Sequence, residues 1–128
     1  MIEKKKILII DDDAFLLDMY GSKFEKNNFE VQKVTNGRDA IEILKNGFIP
    51  DVIMIDLIMP LMDGFTILNK IKTEKLAKKS LYVVLSNQST GGDIQKAKEL
   101  GFHDFIVKSE SIPSSVVEKI VNLLDKNK

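Results

Sequence analysis

Four runs rich in Ile, Val and Leu recur along the chain: Lys6-Ile-Leu-Ile-Ile10, Asp51-Val-Ile-Met-Ile55, Leu81-Tyr-Val-Val-Leu85 and Asp104-Phe-Ile-Val107. A strand with one wet face alternates apolar and polar residues. These runs do not alternate, so each predicts a strand covered on both faces, as in a parallel sheet clothed by helices. A fifth run, Glu30-Val-Gln-Lys-Val34, does alternate and predicts an edge strand. Between them lie helix-compatible segments at residues 14–26, 38–46, 65–73, 93–100 and 114–125. Asn36-Gly37 and Asn46-Gly47 mark turns or helix ends, Gly101 is a C-terminal stop, and Pro113 sits where a first-turn proline is tolerated. Strand then helix, five times over, predicts a doubly wound α/β domain with right-handed crossovers.

The 128 residues show no linker, repeat or low-complexity stretch, and the expectation is a single domain over residues 1–128 with no effector domain in this chain. A chain of this size buries roughly two thirds of the surface that its unfolded form exposes, so one core suffices without disulfides or a structural metal. Lys plus Arg and Asp plus Glu both equal 19, which leaves no net field to recommend nucleic acid or an anionic membrane as a partner. The absence of cysteine excludes thiolate metal sites and cysteine nucleophiles. The basic start, Met1-Ile-Glu-Lys-Lys-Lys6, is followed by only four apolar residues, and no run approaches the ~20 residues of a membrane span. The expectation is a cytoplasmic protein.

In a doubly wound sheet the carboxyl ends of the strands share one edge, where ligands bind. The residues just past the central strands are Asp11, Asp12 and Asp13, then Asp56, Ser86 and Lys108. Adjacent carboxylates about 4 Å apart repel by roughly 4 kcal/mol near a protein surface, so a counter-charge is required. Carboxylates without histidine or cysteine suit a hard cation such as Mg²⁺. Asp11 and Asp12 are assigned to that site, and Asp13 to the start of the first helix. A divalent cation beside a carboxylate, a hydroxyl and an ammonium is the equipment of phosphoryl transfer, with Asp56 as nucleophile, Ser86 bonding one phosphoryl oxygen and Lys108 neutralising another.

The acidic pair in IIDDD, the segment DLIMPLMDG around Asp56, the strand LYVVLS ending in Ser86 and FIVKS carrying Lys108 together resemble the receiver domain of bacterial two-component response regulators, from about Lys5 to the end. The resemblance implies a flavodoxin-like sheet of order 2-1-3-4-5 with five helices. It implies that Asp56 accepts a phosphoryl group from the phosphohistidine of a sensor histidine kinase or histidine phosphotransfer protein. Mg²⁺ would sit on Asp12 and Asp56, with Asp11 helping directly or through water and the backbone carbonyl of Ile58 as a further ligand. It also implies a switch in which the Ser86 hydroxyl moves toward the phosphoryl oxygen and Phe105 turns into the space opened. That would repack the face made by the fourth helix, fifth strand and fifth helix for a downstream protein target.

Two departures from the family pattern matter. The lysine is commonly followed by a cis proline, but Lys108 precedes Ser109, which predicts a trans or strained bond. Ile58 and Gln88 occupy positions that tune hydrolysis of the acyl phosphate, and a bulky apolar Ile58 predicts slow self-dephosphorylation. Lys96, Lys98, Asp104, Glu118 and Lys119 could pair across a dimer on the output face, but exposed pairs are weak; a monomer is expected before phosphorylation, with a dimer open afterwards. Met59-Pro60-Leu61-Met62 reads as structural filling with a proline turn, Asp63-Gly64 as the turn into the third helix, and His103 as a surface loop residue. Two rival readings remain. One is a haloacid-dehalogenase-like phosphatase with Asp11 as nucleophile, whose motif Phe15 breaks; the other is a docking module that works without phosphorylation.

Overall fold

The computed structural model describes residues 3–87 and 91–127, without the side chains of Gly91 and Asp93. Five strands, β1 (Lys5–Ile10), β2 (Phe29–Val34), β3 (Val52–Ile55), β4 (Leu81–Ser86) and β5 (Asp104–Val107), alternate with five helices. The helices are α1 (Ala14–Lys26), α2 (Gly37–Lys45), α3 (Gly64–Thr73), α4 (Gly91–Glu99) and α5 (Pro113–Lys126). The strands are all parallel, in the order β2-β1-β3-β4-β5. This is the doubly wound sheet expected from the uninterrupted aliphatic runs.

The side-chain period of two explains why those runs had to be continuous. Ile7 and Ile9 of β1 point into one apolar layer with Val52, Met54, Val83 and Leu85, which α1 and α5 cover through Leu17, Phe24, Val116 and Ile120. Leu8 and Ile10 point the other way, to Ile53, Ile55 and Val84, beneath Ile41, Leu44, Ile67 and Ile71 of α2 and α3. Burying one such side chain fully contributes about 1.5–3 kcal/mol, so the two layers together fix both the sheet and its clothing.

β5 is one edge of the sheet, as the order 2-1-3-4-5 implied, but its continuous apolar run overstates its covering: of its four residues only Ile106 is fully buried. β2 is the other edge, as its alternation predicted, with a buried residue at each end and exposed ones between.

The helix starts follow from capping oxygens. Asp13 accepts from the backbone N–H groups of Phe15 and Leu16, Asn36 from Asp39, and Asp63 from Thr66, each satisfying a donor that a helix end leaves over. Gly101 follows α4 at φ +94°, a left-handed conformation that halts the helix, as its position predicted. α2, α3 and α5 begin one residue earlier than expected and α4 two; in α2 and α3 the capping Asn36 and Asp63 lie upstream of what the apolar pattern registers.

Candidate functional site

The acidic residues meet where β1 and β3 end. The backbone N–H of Asp56 donates to the Ile10 carbonyl (2.9 Å) and that of Asp11 to the Val34 carbonyl (3.2 Å), so the ladder itself delivers both carboxylates to one edge. Asp11 is 2 % exposed and Asp56 6 %, whereas Asp12 faces solvent. One oxygen from each of Asp11, Asp12 and Asp56 lies within 4.8 Å of the others.

Lys108 is the built-in counter-charge. Its Nζ lies 2.6 Å from Asp11 Oδ2 and 3.1 Å from Asp56 Oδ2. One ammonium therefore serves two carboxylates. Burial pushes the Asp11 carboxyl above its ordinary range, while contact with Lys108 and the Asp13 N–H (3.0 Å to Oδ1) pulls it back and the Asp56 charge adds to the rise. Burial opposes the charge on Lys108 too, but Asp11 and Asp56 outweigh it and hold the ammonium above its usual value. Asp56 Oδ1 accepts from the Ile58 N–H at 3.1 Å, which fixes the carboxylate plane.

The remaining predicted residues fall around this pair. Ser86 is buried and is the last residue of β4 rather than the first beyond it, paired in register with Val107. Lys108 opens a short 3₁₀ turn, Lys108–Glu110, and the peptide bond to Ser109 is trans. Phe105 is half-buried against the α2/α3 side of the core. Gln88 lies outside the described residues. Asp13 points away from the mouth into its capping role, as expected.

The loop from β3 to α3 is tightly folded over the site. The Gly64 N–H donates to the Leu57 carbonyl at 3.0 Å, and a Cβ on Gly64 would stand 2.6 Å from the Asp56 carbonyl oxygen, so only glycine permits this approach. Met59 fills the core as expected, but Leu61 does not. It is fully exposed, in a left-handed conformation at φ 69°. Ile58, in the loop after β3, and Phe15, in the first turn of α1, are 58 % and 75 % exposed, so apolar side chains flank an acidic mouth.

Sequence reasoning missed Tyr20. It is buried in α1, where burial raises its phenol pKa, Lys108 lowers it and Asp11 raises it, so the ring sits within electrostatic reach of the site. The helical spacing of Leu17, Tyr20 and Phe24 could have placed the residue on the buried face. Nothing in that spacing gives its distance from Lys108.

The donor set suits a hard divalent cation: only carboxylate oxygens converge, and the buried Asp11 Oδ2 faces Lys108 as a charge contact without a directed hydrogen bond. The response regulator receiver domain family model matches residues 7–120. The chain belongs to that family. The receiver is 32 % identical over 122 residues to response regulator SaeR of Staphylococcus aureus, an alignment covering 95 % of this chain and 51 % of SaeR. It thus spans about half the length of the curated relatives it matches. Its fold is that of the CheY-like receiver domain protein from Methanospirillum hungatei, with TM-score 0.87, 23 % identity and coverage of 97 % and 96 % of the two chains. Vibrio cholerae CheY4 is equally similar in identity at 23 %, with TM-score 0.85 over 93 % of this chain and 98 % of that one. The receiver family belongs to two-component signalling rather than to metabolic catalysis. Among the described residues no helix is long and apolar enough to cross a membrane.

Proposed function

We propose that this receiver is a phosphoacceptor switch in which Asp56 takes a phosphoryl group from the phosphohistidine of a sensor kinase or histidine phosphotransfer protein. The observation that carries the reading is the Asp11–Lys108–Asp56 contact at the strand ends, with Asp12 at its rim. A carboxylate oxygen of Asp56 attacks phosphorus, the P–O bond forms as the P–N bond breaks, and the leaving imidazole nitrogen takes a proton. Mg²⁺, held by Asp11, Asp12, Asp56 and the Ile58 carbonyl, would supply positive charge to the phosphoryl oxygens.

Lys108 needs to move little to transfer its charge from the carboxylates to a phosphoryl oxygen, since it already spans both. The Ser86 hydroxyl, buried at the end of the neighbouring strand, is placed to bond a second oxygen. Phe105 borders a recess of about 130 Å³ with Ile94, Ala97 and Phe102, which gives its ring room to turn inward when Ser86 moves. The altered face of α4, β5 and α5 then engages a protein target. The exposed apolar residues flanking the mouth, Phe15, Ile58 and Leu61, offer a docking rim to the donor, and Ile58 screens the acyl phosphate against water. A half-life of seconds for the purified phosphoprotein would count against that screening.

The test is incubation with acetyl phosphate and Mg²⁺, with intact-mass and peptide mapping of wild type, Asp56→Asn and Asp11→Asn. A Mg²⁺-dependent adduct on Asp56, lost in Asp56→Asn, supports the reading. An adduct on Asp11 would instead support a phosphatase, and no adduct from either small donor or kinase would leave a docking module.

A further inference from the structure

At the opposite edge of the sheet, where the loop between α3 and β4 meets the loop between α4 and β5, lies an open cleft of about 650 Å³. Lys72, Lys75, Lys78 and Lys79 line it together with His103 and Tyr82. The chain as a whole is neutral, so this is a local excess. Among the described residues no ion pair takes up Lys75, Lys78 or Lys79, and the one carboxylate in that segment, Glu74, is 2.8 Å from Lys45 Nζ.

The polar groups of the cleft are held in place. The Tyr82 N–H donates to His103 Nδ1 at 3.0 Å, which leaves the proton of the neutral ring on Nε2. The same imidazole stacks on the Tyr82 ring, 6.3 Å between centroids and 12° between planes, and its residue is exposed. Lys72 Nζ donates to the Leu100 carbonyl and lies 5.8 Å from the Tyr82 ring centroid. The Tyr82 hydroxyl donates to the Ala77 carbonyl at 3.0 Å and Ser80 Oγ to the Pro50 carbonyl at 2.6 Å, so the lysine-bearing loop is tied to β4 and to the segment that leads into β3.

We propose that this cleft binds a compact oligophosphate, either inorganic triphosphate or the triphosphate tail of a nucleotide, with Lys75, Lys78 and Lys79 on the phosphoryl oxygens and His103 donating from Nε2. A monoanion would leave most of the lysine charge uncompensated, whereas several phosphoryl groups on one small molecule match it. The volume falls within the about 300–1,000 Å³ of small-molecule sites. Lysines act as mobile point charges for phosphate. A nucleotide source would add a base stacked on the exposed imidazole. The inference is independent of the chemistry at Asp56, which lies beyond the far end of the four-residue β3.

The test is a two-dimensional amide NMR titration of the full chain without Mg²⁺, using inorganic phosphate, inorganic triphosphate and ATP, on wild type and Lys78→Gln/Lys79→Gln. Saturable shifts centred on residues 72–82 and 100–104 are expected. Triphosphate should bind at least about tenfold more tightly than phosphate, and the double variant should lose at least about tenfold in affinity. ATP tighter than triphosphate would identify a nucleotide, and equal affinity an inorganic tail; either supports the site. Shifts centred on Asp11 and Asp56, no saturable binding, or unchanged affinity in a variant whose spectrum remains native outside the cleft would each overturn it.

Discussion

Lys108→Met removes the one ammonium that, among the described residues, pairs with the two buried carboxylates while keeping the length of the side chain, and its cost follows from the geometry. With carboxylate oxygens of Asp11 and Asp56 within 4.8 Å, their repulsion at an effective dielectric of 20 is ~3.5 kcal/mol. Asp11 and Asp56 hold Lys108 charged against the cost of its burial, so its removal leaves their mutual repulsion uncompensated, and that repulsion sets the scale. Protonation of Asp11, whose carboxyl burial already raises, limits the damage. The expected loss in urea unfolding at neutral pH with EDTA is therefore about 3 kcal/mol, in line with the breaking of other buried ion pairs. Because Asp11's folded pKa is raised, the folded state gains protons before the unfolded one as pH falls, and the deficit should shrink toward the pKa of the unfolded carboxyl. Mg²⁺ should restore most of the loss, and so should Asp11→Asn in the same chain. A deficit under about 1 kcal/mol in EDTA would refute the electrostatic account. Rescue by acid and by Asp11→Asn but not by Mg²⁺ would leave that account standing and refute the metal site.

Gly64→Ala forces a methyl to within 2.6 Å of the Asp56 carbonyl oxygen and 3.0 Å of Leu57 Cα, both backbone atoms; it should destabilise by about 2 kcal/mol and slow phosphorylation by acetyl phosphate. Leu61→Gly should stabilise by about 0.5–1 kcal/mol in thermal unfolding, since Leu61 holds φ 69° with a fully exposed side chain and loses no packing. Burial and, after it, the Lys72 charge hold the His103 pKa below its ordinary value; its contribution to stability is present above about pH 6.5 and is lost as pH falls toward the folded pKa. His103→Asn, whose carbonyl can accept the Tyr82 N–H, should flatten urea stability over that window, and an unchanged slope would refute the role.

How far the sequence carries the fold depends on which physical signal each element leaves in it. Burial on both faces writes itself as the runs Ile7–Ile10 and Val52–Ile55, and a capping oxygen as Asp13, Asn36 or Asp63, so layers and helix starts were legible. The alternation of β2 marks its edge, whereas the continuous run of β5 gives no sign that its faces are only partly covered. The strand-end residues Asp11, Asp56 and Lys108 were legible as a group because a parallel sheet brings every strand's end to one edge. Ser86 at the close of β4 joined them for the same reason.

What escaped are contacts that depend on how loops close. Leu61 reads as filling beside Met59 and Met62, yet the Met62 N–H donates to the Pro60 carbonyl at 2.8 Å and turns the intervening residue outward. His103 reads as a loop residue because its partner, the Tyr82 N–H, lies 21 positions away across the β4/β5 junction. The same argument explains the lysine cleft. Parallel strands send all their amino ends to the edge opposite the aspartates, and the loop between α3 and β4 carries its lysines there, so a chain with no net charge still holds a local cluster of each sign at opposite ends of its strands. Net charge sums over both clusters and hides them.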